Sequence, residues 1–340
     1  MDIDFVITWV DGNDPEWRAE KARYSGKSAG DDREKRYRDW EVLKYWFRGV
    51  EECAPWVRYI HFVTCGHLPA WLATDNPRLK IVKHSDYIPA QYLPTFSCRP
   101  IELNMHRIPG LSERFVYFND DMFLLRPVTE ELFFRNGLPC DTAICQASYM
   151  HGEDVNGEPL KPENYNTSNI YNMVPINRHF RKRDVIRANP GKWFSLRYGG
   201  DIFRTLLLMP WGAFTGFKST HLPYSYLKKT FEEAWEMENA LFDRACTHKV
   251  RDSTDISSRL LSFWQMAEGN FVPRSVKDGK YFSIRNDDAC NRKMYRAIRE
   301  KSYPMVCLND EYSGPDFDTV KAELISCFEA AFPEKSSFEK

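Results

Sequence analysis

A run of aromatic and β-branched residues, Phe115-Val-Tyr-Phe118, leads directly into Asn119-Asp120-Asp121. Carboxylates at the carboxyl end of such a strand point into the crevice where open α/β sheets take up ligands. Their hard oxygens suit Mg2+ or Mn2+ bridging to a diphosphate. Taken alone, the triplet is more simply a polar turn or a helix cap. A second acidic strand end tips the balance, because Ile3-Asp-Phe-Val-Ile-Thr-Trp-Val10 runs into Asp11-Gly-Asn-Asp14. Two neighbouring strands then bring oxygen ligands and the stacking ring of Trp9 to one crevice. Asp14 stands before Pro15 and is expected mainly as an N-cap with proline at the first helical position, which leaves Asp11 for the site.

Four further groups belong to the same search. Glu102 and His106, four residues apart after Pro100, share a face if the segment is helical; they either orient a sugar or phosphate or form a surface ion-pair face. His221-Leu-Pro-Tyr-Ser-Tyr is expected at the start of a long helix running through Leu227 to Ala245, with Pro223 in its first turn. A helix N-terminus disfavours the imidazolium and offers N–H groups to phosphate oxygens, so His221 there reads as a general base or a nucleophile toward phosphorus, or more plainly as a cap. His248-Lys-Val-Arg251 follows the far end of that helix, where Arg251 is a guanidinium clamp for phosphate or a complement to the dipole. Cys307-Leu-Asn-Asp310 repeats the strand-then-Asn-Asp format.

The elements that must position these groups follow from hydrophobic runs. Ile3 to Val10, Tyr59 to Thr64, Leu79 to Val82 and Phe115 to Phe118 read as strands with helix-period segments between them, which predicts βα units around a mostly parallel sheet. Leu43, Trp46, Phe47 and Val50 form one apolar helix face that should pack on that sheet. Arg18 to Arg38 is dense in charge and contains Gly26, Ser28 and Gly30, so a solvated loop beginning as a short helix is expected. Cys140 to Pro210 has weak periodicity and predicts loops and short helices around a site. Near the C-terminus, Met305 to Leu308 reads as a strand, and Val320, Leu324, Ile325 and Phe328 as a helix ending before Pro333. The expected class is α/β, with a Rossmann-like, mostly parallel sheet flanked by helices and a partly helical, loop-rich middle and C-terminal subdomain. The expected division is 1–139 as the nucleotide-sugar and metal-binding half, 140–220 as a loop-rich insertion, and 221–340 completing the same catalytic core.

Composition removes several function classes. The 47 Lys and Arg against 48 Asp and Glu among 340 residues leave a formal net charge of −1, which offers no global field for nucleic acid. The acidic N-terminus is unlike a basic secretory leader, and no run approaches the roughly 20 apolar residues of a membrane span. A soluble, cytoplasmic chain with no transmembrane segment is expected, with peripheral membrane association and oligomeric state left open. The nine cysteines form no CxxC pair and are expected as reduced thiols. No GxxxxGK[ST] loop, GxGxxG turn or HExxH pair occurs, so kinase, dehydrogenase and zinc-protease readings drop out.

With these residues in view, the chain resembles the Stealth family of hexose-1-phosphate transferases, which spans capsular and exopolysaccharide phosphotransferases and the catalytic core of the lysosomal-enzyme N-acetylglucosamine-1-phosphotransferase. Four blocks carry the resemblance, in the family's order. The first is Ile7-Thr-Trp-Val-Asp-Gly-Asn-Asp-Pro-Glu-Trp17, and the second runs from Arg38-Asp39 through Ala54-Pro-Trp-Val-Arg58, Leu93-Pro-Thr-Phe-Ser97 and His106-Arg-Ile-Pro-Gly-Leu-Ser112 to Phe118-Asn-Asp-Asp121. The third extends from His221-Leu-Pro-Tyr224 to His248-Lys-Val-Arg251, and the fourth from Tyr303-Pro-Met-Val-Cys-Leu-Asn-Asp310 to Phe332-Pro333. The resemblance implies a nucleotide-sugar donor of UDP-hexose or UDP-N-acetylhexosamine type, a carbohydrate acceptor and a divalent cation, Mg2+ or Mn2+. By position it implies His221, Asp121, Glu102 and Arg251 as catalytic residues, Trp9, Asp11, Gly12, Arg38 and Asn309 as donor-binding residues, and Asp120, Asp121 and Asp310 as metal ligands. The modules inserted between the blocks of the large eukaryotic members are missing, which favours a compact enzyme of capsule or exopolysaccharide synthesis. A metal-dependent glycosyltransferase that expels a nucleoside diphosphate fits the same acidic edge, and a non-catalytic carbohydrate-binding protein would account for the aromatics alone.

Overall fold

The computed structural model describes residues 1–25, 38–148 and 165–340; the glycines and serine expected in the loop at 26–30 lie outside them. The strands are β1 (Ile3–Thr8), β2 (Ile60–Thr64), β3 (Leu79–Lys83), β4 (Arg114–Phe118), β5 (Met122–Leu124), β6 (Phe134–Arg135), β7 (Leu138–Asp141), β8 (Tyr224–Leu227), β9 (Val272–Pro273), β10 (Gly279–Ile284) and β11 (Met305–Asp310). A five-stranded sheet has the order β3-β2-β1-β4-β8. Its first four strands are parallel and only β8 runs antiparallel, against β4. This is the mostly parallel, Rossmann-like α/β sheet expected from the hydrophobic runs.

Strand alternation explains why the sheet is buried on both faces. Phe5 and Ile7 of β1, Phe62 of β2 and Phe118 of β4 point into one core with the helix Leu43–Cys53 and the C-terminal helix Phe317–Ala331. Val6, Val63, Phe115 and Tyr117 point the other way, into a second core with the helices Lys228–Met237, Asn239–Thr247 and Arg259–Glu268. The second core also takes Met173 and Ile176 from the helix Tyr165–His179, and Val185 and Ile186 from Lys182–Ala188. The segment expected to be loop-rich is therefore largely helical from residue 165 onward.

Two smaller sheets complete the scaffold, β10-β11-β5 and β6-β7-β9. In the first, β11 pairs antiparallel with β5 and Cys307 faces Met122. That register lays the carboxyl end of β11 beside the Asn119–Asp121 loop, and the Leu308 N–H donates to the Asp121 carbonyl at 2.8 Å.

Two local expectations fail in an instructive way. The long helix through Leu227 to Ala245 is two helices, broken at Glu238 (φ −128°, ψ 34°), whose carboxylate is buried against Arg178 and His179. Nor does that helix start at His221: Tyr224–Leu227 is the antiparallel edge strand β8 and helix begins only at Lys228. Proline is tolerated on an edge strand as well as in a first helical turn, so Pro223 does not discriminate. Asp14, by contrast, caps as expected, its Oδ1 accepting the Trp17 N–H at 2.6 Å at the start of the helix Pro15–Ser25.

Candidate active site

Because β1 and β4 are parallel neighbours with Ile7 opposite Phe118, the residues that follow them, Trp9–Val10 and Asn119–Asp121, emerge side by side. The antiparallel entry of β8, with Tyr224 opposite Tyr117, places His221 above the same edge. The mouth so formed is a cleft of about 760 Å3 whose lining includes Trp9, Arg38, Glu102, Asn119, Asp120, Asp121, His221, Arg251, Asn309 and Asp310. Asp11 and Gly12 are not part of that lining: Asp11 Oδ1 accepts the Asn13 N–H at 2.9 Å and the Gly12 carbonyl accepts from Arg18 at 2.6 Å, so this pair folds its own turn. A smaller hollow of about 440 Å3, lined by Arg58, Ser112 and Lys228 among others, sits beside the amino ends of β1 and β4, away from these groups.

The acidic edge is tightly coupled. The Asp120 side chain opens onto the cleft, yet its enclosure by surrounding protein, followed by the neighbouring charges of Asp121 and Asp39, pushes its carboxyl up to about 7. Asp121 receives the Cys307 thiol on Oδ2 at 3.3 Å, while its buried Oδ1 has no hydrogen-bond partner. An orphaned carboxylate oxygen beside a second carboxyl open to the same cleft leaves oxygen donors that could hold a cation. Asp121, His221 and Cys307 present ligand atoms all within 4.8 Å of one another. Burial and Asp121 hold the Cys307 thiol well above its usual range. The hard oxygens of Asp120 and Asp121 are thus the better donors for Mg2+ or Mn2+.

His221 adopts a left-handed backbone (φ 46°), a conformation that costs a non-glycine residue on the order of 1–3 kcal/mol and persists where surrounding structure enforces it. Its ring is held on both sides. Arg259 Nη2 approaches Nδ1 at 2.8 Å, and Nε2 lies 3.6 Å from Asp121 Oδ2. Guanidinium only donates, so Nδ1 accepts, and a neutral ring carries its proton on Nε2, facing Asp121. The base role expected of His221 needs a vacant lone pair, and the one this ring has is spent on Arg259. Arg259 is itself buried, braced by its Nε bond to the Tyr224 hydroxyl at 2.8 Å. Burial, then the nearby Arg99, lowers it to about 10, which leaves it charged at neutral pH.

Glu102 stands on the short helix Cys98–Leu103, capped by Ser97, whereas His106 lies on a separate turn, Met105–Arg107. The shared helical face expected for the pair does not form. His106 packs on Phe231 and Trp235, and burial, then Arg107, lowers it to about 3. Glu102 faces the cleft, its Oε2 accepting from Ser258 at 2.6 Å and its Oε1 from Tyr117 at 3.4 Å. Arg99, on the same helix, donates to Ser168 at 3.0 Å and has a buried Nε without a hydrogen-bond partner. Arg251 is carried by a loop tied down through Lys249 and through His248–Asp255 at 2.7 Å.

Asp310 is engaged differently from the metal ligand expected. Arg38 donates to both of its oxygens, at 2.8 and 2.7 Å, and Trp40 Nε1 adds a bond at 3.1 Å. Arg38 in turn lies 4.2 Å from the Phe317 ring centroid. Asn309 lines the cleft and donates to Glu311 at 3.2 Å. Sequence reasoning missed Arg99, Ser258 and Arg259. Only Arg259 leaves a local trace, as the single charge opening the uncharged, mostly apolar run Leu260-Leu-Ser-Phe-Trp264.

Comparisons with known proteins identify the family. Models of the Stealth protein conserved regions 1, 2 and 4 match residues 1–29, 36–140 and 296–340. The capsular polysaccharide phosphotransferase WcwK of Streptococcus pneumoniae is 40% identical over 343 residues, covering 99% of this chain and 98% of that protein. The receptor polysaccharide phosphotransferase WefC of Streptococcus gordonii is 38% identical, with 99% and 98% covered. The exopolysaccharide phosphotransferase cps2G of Lactiplantibacillus plantarum is 37% identical, with 100% and 97% covered. Among solved structures, the galactosyltransferase LgtC in complex with donor and acceptor sugar analogues overlaps 98% of this chain and 96% of its own at 9% identity and a TM-score of 0.38, too loose a superposition to carry an argument. The chain belongs to the Stealth family and is a transferase.

Proposed function

We propose that the chain transfers a hexose-1-phosphate or N-acetylhexosamine-1-phosphate from a nucleotide sugar to a carbohydrate hydroxyl, releasing a nucleoside monophosphate and leaving a phosphodiester in a capsular or exopolysaccharide product. The observation that carries this reading is one cleft edge where the Asp120–Asp121 pair meets His221, backed by Arg259, with Arg99 and Arg251 on the same lining. Transfer at phosphorus asks for cations around a phosphoryl group more than for covalent chemistry, and the relatives' names point the same way.

Asp120 and Asp121 would hold Mg2+ or Mn2+, which when bound neutralises the donor diphosphate and the charge that builds on the departing nucleotide. Arg251 and Arg99 bind phosphoryl oxygens. His221 presents its Nε2 proton to the group being transferred, oriented by Arg259. Glu102, anchored through Oε2 by Ser258, takes the acceptor hydroxyl's proton on its more loosely held Oε1. Trp9 offers an aromatic face at the cleft for the base. The acceptor oxygen forms a bond to the sugar-linked phosphorus, and the bond from that phosphorus to the bridging oxygen of the nucleotide breaks. Incubation with UDP-hexoses and UDP-N-acetylhexosamines, Mg2+ or Mn2+ and oligosaccharide acceptors should yield a phosphodiester resonance by 31P NMR. A product that gains sugar without phosphorus would overturn the proposal.

A further inference from the structure

The helix Ile202–Leu208 is apolar but for Thr205, which is buried, and Arg204, which is exposed and paired with Asp201 at 2.9 Å, and only half of its apolar surface is accounted for by the fold. Ile202, Leu208 and Met209 pack against the second core, and buried Thr205 accepts the Cys145 N–H at 3.0 Å. On the opposite side Phe203, Leu206 and Leu207, at i, i+3 and i+4, share a face and are 67%, 46% and 73% exposed. Leu196, on the preceding turn, is 90% exposed, and Trp211, just beyond the helix, 57%. Five of the eleven exposed large hydrophobic residues among the described residues thus fall within one short stretch. Isolated exposed apolar side chains are ordinary, but a cluster of large ones on one face is normally covered.

Charge says by what. Residues 178–218 contain nine Lys and Arg against two acidic residues, in a chain that is otherwise slightly acidic. Arg181, Arg183, Arg187 and Arg197 are exposed. The helix Lys182–Ala188, which bears Arg183 and Arg187 and is preceded by Arg181, is fastened to the apolar segment through Lys182, whose ammonium donates to the Leu208 and Trp211 carbonyls. Arginines beside a protruding cluster of Leu, Phe and Trp make the composition that binds the interface of a negatively charged bilayer. We propose that this face docks the protein onto an anionic lipid surface, with Leu196, Phe203, Leu207 and Trp211 entering the headgroup boundary and the arginines meeting lipid phosphates. The inference rests on exposure and charge and is independent of the reaction assigned to the cleft. It also gives the helical layer a second purpose, since the helix Tyr165–His179 in that layer contributes Ser168 and Asn169 to the cleft wall.

Co-sedimentation of the whole chain with vesicles tests it. Phosphatidylglycerol-rich vesicles should pellet the protein at low salt, and phosphatidylcholine vesicles should do so weakly. Phe203→Ser combined with Leu207→Ser should abolish pelleting while the thermal midpoint and nucleotide-sugar turnover on a soluble acceptor stay unchanged, because both side chains are mostly exposed and neither lines the cleft. Should the serine pair lower the thermal midpoint, Arg183→Gln with Arg197→Gln supplies the test: each lost charge should weaken vesicle binding about fivefold. Failure of the wild-type chain to bind anionic vesicles would overturn the proposal. So would binding that neither pair of substitutions reduces, or a concentration-dependent dimer that the serine pair dissolves, which would make the face a contact between copies.

Discussion

Replacing Arg259 by lysine isolates the arrangement on which the reading of His221 depends. The arginine fork donates to two acceptors at once, the Tyr224 hydroxyl at 2.8 Å and His221 Nδ1 at 2.8 Å. Lysine keeps the positive charge but not the planar fork, so the pair of bonds cannot be reproduced from one ammonium in the same place. A hydrogen bond from a charged donor is worth about 1.5–3 kcal/mol, and if it acts only by keeping the Nε2 proton toward the reacting group, kcat should fall about 10- to 150-fold. KM for the donor should move by no more than a few-fold, since Arg99 and Arg251 remain. Imidazole 15N spectra provide the readout that a structural defect would not mimic: the wild-type His221 should show a proton-free Nδ1 and a protonated Nε2, and Arg259→Lys should lose that pattern. A variant in which the tautomer switches while kcat stays within about threefold of wild type refutes the reasoning, as does a wild-type ring protonated at Nδ1.

Other outcomes follow from the same geometry. Chelation by EDTA should abolish turnover, with Mg2+ or Mn2+ restoring it, and Asp121→Ala should cost about a hundredfold or more; full activity after chelation would remove the cation from the account. Glu102→Gln should lower kcat at least tenfold with little change in the thermal midpoint, because an amide still accepts from Ser258; an unchanged kcat would assign Glu102 to packing. At the opposite end of β1, burial raises the fully buried Asp4, but bonds from Arg58, His61 and the Ser112 N–H outweigh it and hold the carboxyl at about 2. A carboxyl depressed in the folded state stabilises above its unfolded pKa of about 4 and loses that contribution as pH falls toward 2, so Asp4→Asn should cost about 2 kcal/mol at pH 7 and almost none at pH 2. Urea titrations at the two pH values check this, and equal losses at both would contradict it.

What the sequence made legible was whatever a local period encodes. The four parallel strands announced themselves as short apolar-rich runs, most clearly in β1, β2 and β4, which are buried on both faces, and less so in the edge strand β3, where Lys80 and Lys83 are exposed; the acidic strand ends were visible because polar residues followed the runs of β1 and β4 closely. The approach of β8 was not, since Tyr224-Ser-Tyr-Leu227 is too short for an alternation to stand out and is followed at once by a helical pattern that absorbs it. His221 was therefore singled out for a helix terminus it does not occupy, and its actual surroundings come from pairing across the sheet. The Arg38–Asp310 bridge joins residues 272 positions apart, and Arg259 reaches His221 from the start of the helix Arg259–Glu268; neither contact has a spacing that the chain could display. Asp11 marks the converse case, where an acidic residue at the right strand end turns back to cap its own loop.

The measurement that bears most directly on the central claim is the fate of the phosphorus next to the sugar. A nucleotide sugar labelled with 32P at that position, incubated with the enzyme, a divalent cation and an oligosaccharide acceptor, should deliver its label into the oligosaccharide and release an unlabelled nucleoside monophosphate. Label retained in a released nucleoside diphosphate, with the sugar alone joined to the acceptor, would contradict transfer at phosphorus.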